Sequence, residues 1–155
     1  MSSTPSGPEA AFRANRWILW ALAGGVVLFA SVVSVIEPIG VDFEPVLLGL
    51  DVLGIVALVV TVQALALSYF LPPRMVAVAK DGDMAKRVAI YGARRIVAGA
   101  LCEGPALLWC VAMLLSGKRW YLAPIALLVV AIVQHAPTRD GFEDATGVRL
   151  TGLEA

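Results

Sequence analysis

Four apolar runs are the feature that most constrains how this chain can fold. The first, residues 17–36, is 20 residues long and is interrupted only by Ser31 and Ser34. A helix of that length is roughly 30 Å long and matches the hydrocarbon core of a bilayer. The apolar core of a cleaved signal sequence has only about 7 to 15 residues. We therefore predict an uncleaved membrane span here.

Prolines and a helix-capping residue bound the later runs. Proline fits the first turn of a helix but not its interior, so Pro45 favours a start and Pro72 a stop for the second run. Asp83 is a suitable N-cap for a third helix that begins well before its apolar part. The predicted spans are residues 17–36, 46–71, 96–115 and 121–135.

Composition agrees with a membrane protein. Hydrophobic residues make up 59% of the chain and charged residues 15%, whereas a soluble domain has about 25% charged residues. We predict an all-α, polytopic membrane protein with a four-helix bundle over residues 15–136. We expect a disordered tail over residues 1–14 and a second tail over 137–155, which has too few apolar residues to form a core.

The distribution of charge predicts the partners and the orientation. Twelve basic and twelve acidic residues cancel, so the expected partner is the lipid bilayer and not nucleic acid. Lys118 and Arg119 fall on one side of the four spans and the other ten basic residues on the opposite side. Because basic residues resist translocation, both termini are expected in the cytoplasm. Four of the bases are candidates to contact lipid headgroups, although the topology rule alone also places bases there: Arg74, Lys80, Arg94 and Arg95.

Small residues predict where the helices pack. In lipid, helices associate where small side chains allow close approach. Small residues follow a heptad-like spacing in the second span at Gly54, Ala57, Thr61, Ala64 and Ser68, and in the third span at Gly99, Ala106 and Cys110, with Glu103 on the same stripe. A short loop joins these two spans. We therefore predict that they pack as antiparallel neighbours along these stripes, which would bring Glu103 within reach of the Thr61 hydroxyl.

Glu103 is the residue least expected in such a run. A charged group near the centre of a span costs about 2.5 to 3.5 kcal/mol, and no Lys or Arg lies at matching depth. Gly104 and Pro105 follow it and predict a helix kink, because proline leaves a carbonyl of the preceding turn without its N–H partner. The kink would place a free carbonyl close to the carboxyl group.

Two interpretations of Glu103 stay open. In one, a neutral carboxyl group binds Thr61 or Gln63 and fixes the helix register. In the other, the carboxyl group carries protons or a dehydrated cation, because acids inside a membrane are functional candidates. Asp51 is either an outer step of that path or an interfacial acid that faces water.

Three resemblances bear on architecture and function. The segment RRIVAGALCEGPALLW resembles a stretch of small, uncharacterised four-span bacterial membrane proteins with an Ala-Leu-x-Glu-Gly-Pro-Ala-Leu core, here residues 100–107. That resemblance implies the bacterial inner membrane. A carboxylate between small residues and Ala-Leu also resembles the ion-binding helix of rotary ATPase c subunits, which implies ion translocation at Glu103. The length and span number are similar to those of trimeric membrane glutathione transferases, whose Arg, Asn and Glu pattern falls on Arg95, Gly99 and Glu103, without the Asn.

No catalytic pattern appears in the sequence. The chain lacks Ser-His-Asp, His-Glu-x-x-His and glycine-rich phosphate signatures, and its single histidine is His135. We expect no enzyme, no cofactor and no metal site. The predicted function is that of a small membrane protein that works by assembly, either as a homo-oligomer or as an accessory subunit of a larger membrane complex. Proton or cation translocation is the alternative, and a glutathione-transferase-like enzyme is a remote one.

Overall fold

The computed structural model describes residues 7–41, 50–77 and 83–150, with the backbone alone described over residues 71–77. Within these residues the protein is all-α, which confirms the predicted class. Its helices are α1 (Pro8–Val35), α2 (Val52–Ala77), α3 (Met84–Ser116), α4 (Leu122–Gln134) and α5 (Arg139–Thr146), and one turn of 3-10 helix, Arg119–Tyr121, precedes α4.

Three helices are long and apolar enough to cross a membrane: α1, the Val52–Phe70 part of α2, and α3. The fourth, α4, has 13 residues and is therefore only about 20 Å long. It is bent by 50° against α5, and the two together could form a fourth, broken span. The fold is consistent with a multi-pass membrane protein. The predicted stop at Pro72 is wrong, because α2 continues to Ala77 and a helix in a membrane can tolerate proline. The first residues of the predicted second span, 46–49, lie outside the described residues.

The central helix of the bundle is α3, which packs against α1, α2 and α4. Half of its apolar window is buried inside the protein, against 28% for α1 and for α2. The shared core contains Leu19 from α1, Ala57 from α2, Trp109 from α3 and Leu128 from α4. The outer helices therefore present most of their apolar surface to the surroundings, as expected where lipid is the solvent.

Local sequence signals explain the ends of α3. The Asp83 carboxylate accepts a hydrogen bond from the Lys86 N–H at 2.9 Å, so it is the N-cap of this helix. Gly117 ends the helix with φ of 70°, a left-handed conformation that favours glycine. Between these residues α3 runs for 33 residues and continues through Pro105.

Both predicted tails are wrong in part. Residues 8–14 form the first turns of α1, with Pro8 in the first turn, where proline is favoured. Residues 139–146 form α5, and Phe142 and Leu150 are fully buried with Phe12 and Tyr91. The apolar residues of the C-terminal segment are few, but they form a core because α1 and α3 supply the aromatic partners.

Candidate functional site

The small-residue stripe of α2 is buried along its whole length. Gly54, Ala57, Thr61, Ala64 and Ser68 all lie in the interior of the bundle. At Gly54 an added Cβ atom would lie 2.5 Å from the hydroxyl of Tyr121, a buried residue in the turn after α3. Only a residue without a side chain fits this approach.

One residue of the α3 stripe, Gly99, meets a different neighbour from the one predicted. Gly99, Ala106 and Cys110 are buried, but a Cβ atom at Gly99 would overlap Leu19 of α1. On the side of α3 that faces α2, Trp109, which belongs to another stripe, donates a hydrogen bond to Thr61. The predicted packing of α2 on α3 is therefore confirmed, whereas the predicted place of Gly99 in that interface is wrong. Since α3 is surrounded on three sides, its small residues serve more than one interface.

The predicted Glu103–Thr61 contact is also wrong. The Thr61 hydroxyl donates to the Ala57 carbonyl at 2.7 Å and accepts a hydrogen bond from Trp109 Nε1 at 2.9 Å. Glu103 lies one turn after Gly99 and so shares the side of α3 that faces α1. It is half-buried, and the described part of the chain gives its carboxyl group no hydrogen bond or ion pair.

The other polar and kink residues near Glu103 face outward or into the core. Gln63 is exposed on α2, and the described residues supply no hydrogen bond to its amide. Gly104 is exposed, with open space beside it, while Pro105 is buried. The structure therefore does not bring Glu103, Thr61 and Gln63 together into one polar site.

Asp51 is a buried acid, although the sequence indicated either an interfacial acid that faces water or an outer step of a path to Glu103. It has no exposed surface. Its Oδ1 accepts a hydrogen bond from the Gly54 N–H at 2.7 Å, and its Oδ2 lies 3.2 Å from Lys118 Nζ. A charge survives burial only where it is paired. Asp51 thus caps α2 and ties it to the loop after α3, and it is not a free step on a path to Glu103.

The predicted headgroup residues are described only in part. Arg94 and Arg95 are half-buried on α3, beside His135 at the end of α4. The Arg74 side chain and Lys80 lie outside the described residues. Arg95 is held over the Tyr91 ring, with its guanidinium carbon 5.3 Å from the ring centroid.

Cysteine and metal chemistry find no support in the described residues. Cys102 and Cys110 are both buried and free. In residues 7–41, 50–77 and 83–150, no group of three or more His, Cys, Asp or Glu residues could hold a metal ion. Comparisons with protein families, curated proteins and solved structures return no match to this chain.

Proposed function

We propose that this protein is a four-span protein of the bacterial inner membrane, with both termini in the cytoplasm, that works by assembly into a homo-oligomer. The observation that carries the proposal is a pair of polar side chains inside the apolar spans. Gln63 is exposed and Glu103 is half-buried, and neither has a hydrogen-bond partner in the described part of the chain. In hydrocarbon, such groups are stabilised when a neighbouring helix supplies a partner.

The register of α2 and α3 sets the relative depth of the two residues. Thr61 pairs with Trp109, so Gln63 lies level with residue 107, four residues from Glu103. Four residues of helix correspond to about 6 Å along the axis, a gap that two long side chains can bridge. Both groups therefore lie at similar depth and are suited to meet across an interface between copies.

The two groups also lie on different helices and point in different directions. Gln63 is on the outward side of α2, whereas Glu103 is on the side of α3 that faces α1. A contact between Glu103 of one copy and Gln63 of the next would be heterologous, and repeated contacts of that kind form a ring when the rotation between copies closes. An accessory subunit of a larger complex would use the same groups against another protein.

Proton or cation translocation has less support. A pathway needs further polar groups along the route, and the Thr61 hydroxyl is already bound to Ala57 and Trp109. Asp51 is bound to Gly54 and Lys118. A glutathione-transferase-like activity has no supporting contact in the described residues.

The test is the assembly state of the full-length protein in mild detergent and in lipid nanodiscs, measured by native mass spectrometry. We expect Glu103→Ala and Gln63→Ala each to weaken assembly, while Glu103→Gln, which still forms hydrogen bonds, retains it. An interhelical hydrogen bond contributes about 0.6 to 1.7 kcal/mol, so each lost contact weakens association roughly threefold to twentyfold. The matched control is Val62→Ala, an exposed apolar neighbour on α2.

Two results would refute the proposal: a monomeric wild-type protein in nanodiscs, or assembly of Glu103→Ala equal to that of wild type. The same variants separate the alternative function. If Glu103→Gln abolishes proton or cation flux in liposomes without changing the assembly state, translocation replaces assembly as the function.

A further inference from the structure

A groove between α2, α3 and α4 opens where α4 ends. It has a volume of about 290 Å³. Its walls include Ser68, Tyr69, Arg94, Arg95, Gln134 and His135. Because α4 is shorter than its neighbours, its last residues lie beside the two arginines of α3. This groove is independent of Glu103 and Gln63, and so of the proposed assembly interface.

The groove is lined by positively charged arginines and by a histidine that becomes positive when protonated. Two guanidinium groups and an imidazole meet here, and no acid is among the described residues that line the groove. Like charges placed together are unfavourable unless an anion lies between them. The concentration of positive charge therefore indicates that the groove takes an anionic ligand.

Buried polar atoms without hydrogen-bond partners also indicate a bound ligand in this groove. His135 is only 8% exposed, and its Nε2 has no hydrogen-bond partner. The Nε atom of Arg95 is also buried without a partner. Buried polar groups are nearly always hydrogen-bonded in folded proteins, so a missing partner at this position points to a ligand.

Three further polar side chains lie around the groove: Ser68, Tyr69 and Gln134. The Tyr69 ring lies 5.7 Å from the His135 ring. The Ser68 hydroxyl already donates to the Leu65 carbonyl at 2.8 Å, so it does not compete as a donor. The exposed amide of Gln134 is a further neutral donor at the rim.

We propose that this groove binds a phosphate group, with Arg94, Arg95 and His135 as the hydrogen-bond donors. Guanidinium groups match the oxygens of phosphate, and donors that arrive from two helices suit its tetrahedral arrangement better than the flat pair of oxygens in a carboxylate. The phosphate belongs either to an anionic phospholipid headgroup or to a soluble phosphate compound. Exposed Tyr69 beside the groove favours an interfacial position, where phospholipid headgroups lie.

The test uses the full-length protein, delipidated in a neutral detergent and titrated with phosphatidylglycerol or phosphatidylcholine, with bound lipid counted by native mass spectrometry. We expect wild type to prefer phosphatidylglycerol. Arg94→Gln, which removes the charge, and His135→Ala, which removes the donor, should each weaken its binding by roughly tenfold or more. Arg94→Lys keeps the charge and should lose less.

The matched control is Arg13→Gln, an exposed base on α1 that does not line this groove. It should change phosphatidylglycerol binding by less than about twofold, because a screened surface charge contributes little. Competition by inorganic phosphate distinguishes the sources: displacement of the lipid indicates a soluble phosphate ligand, and retention of the lipid indicates a headgroup site. Circular dichroism of each variant shows that the helices are intact.

Equal binding of the two lipids by wild type, with no effect of inorganic phosphate on either, would overturn the proposal. An equal loss in Arg13→Gln and Arg94→Gln would also overturn it, because the attraction would then come from diffuse surface charge and not from the groove.

Discussion

Replacing Asp51 tests whether one buried acid ties the start of α2 to the loop after α3. The carboxylate caps the helix through Gly54 at 2.7 Å and pairs with Lys118 at 3.2 Å. The substitution Asp51→Ala removes both interactions. Asp51→Asn keeps an oxygen that can cap the helix and removes only the charge. The two variants therefore separate the cap from the ion pair.

The structure sets the size of each effect. A lost N-cap costs about 1 kcal/mol, and a lost negative charge at a helix N-terminus costs about 0.3 to 1 kcal/mol. Breaking a fully buried ion pair costs about 3 to 5 kcal/mol and an exposed one about 0 to 1 kcal/mol. The Lys118 side chain is 25% exposed, so we take the cost of breaking its ion pair with Asp51 as about 1 to 2 kcal/mol, between these limits. We expect Asp51→Ala to lower the free energy of unfolding by about 2 to 4 kcal/mol and Asp51→Asn by about 1 to 3 kcal/mol.

The assay is unfolding in mixed micelles with increasing SDS, followed by circular dichroism. A double-mutant cycle with Lys118→Met isolates the pair, because other contacts of the lysine cancel in the cycle. Glu37→Gln is the matched control, since Glu37 is an exposed acid near the same end of the bundle. The reasoning is refuted if Asp51→Asn changes stability no more than Glu37→Gln, or if the coupling energy with Lys118→Met is near zero.

Three more predictions address packing and pH. Gly54→Ala should destabilise the protein by about 1 to 3 kcal/mol in the same unfolding assay, because its Cβ would lie 2.5 Å from a buried tyrosine hydroxyl, whereas Gly104→Ala has open space and should not. Trp109→Phe removes the 2.9 Å bond to Thr61 and should cost about 0.6 to 1.7 kcal/mol, and less in a Thr61→Val background. The pKa of Glu143 is held below its ordinary 4.5, first by the backbone N–H of Leu150 and then by Arg139, so its contribution to holding Leu150 against α5 is present above that pH and is lost as pH falls through the folded pKa. Hydrogen exchange of α5 between pH 3 and 6 should show this loss in wild type and not in Glu143→Gln.

The acid that matters for folding could not be recognised from local sequence. Glu103 attracts attention because it interrupts a long apolar run. Asp51 lies near the end of an apolar run, and this position is typical of an interfacial residue. Its burial depends on Lys118, which is 67 positions away in the chain and comes close only when α2 packs on α3. Local hydropathy does not predict burial that depends on a partner far away in the chain.

The burial of the C-terminal segment also depends on residues that are far away in the chain. Residues 137–150 have too few apolar side chains to bury each other. Phe142 nevertheless packs edge-to-face on Phe12 and Tyr91, at centroid distances of 5.4 and 5.3 Å. An aromatic ring buries a large area against whatever neighbours it meets. The sequence shows the ring, and only the fold shows its neighbours.

What the sequence determined by itself is the helical class, the apolar helices and the start of α3 at Asp83, because hydropathy and capping act within a few residues. The tertiary structure alone decided that Gly99 of α3 meets α1 and that Trp109 meets α2. It also decided that Thr61 binds Trp109 and not Glu103. A helix whose small residues occupy several stripes can pack in several ways, and the choice depends on the summed contacts of segments far apart in the chain.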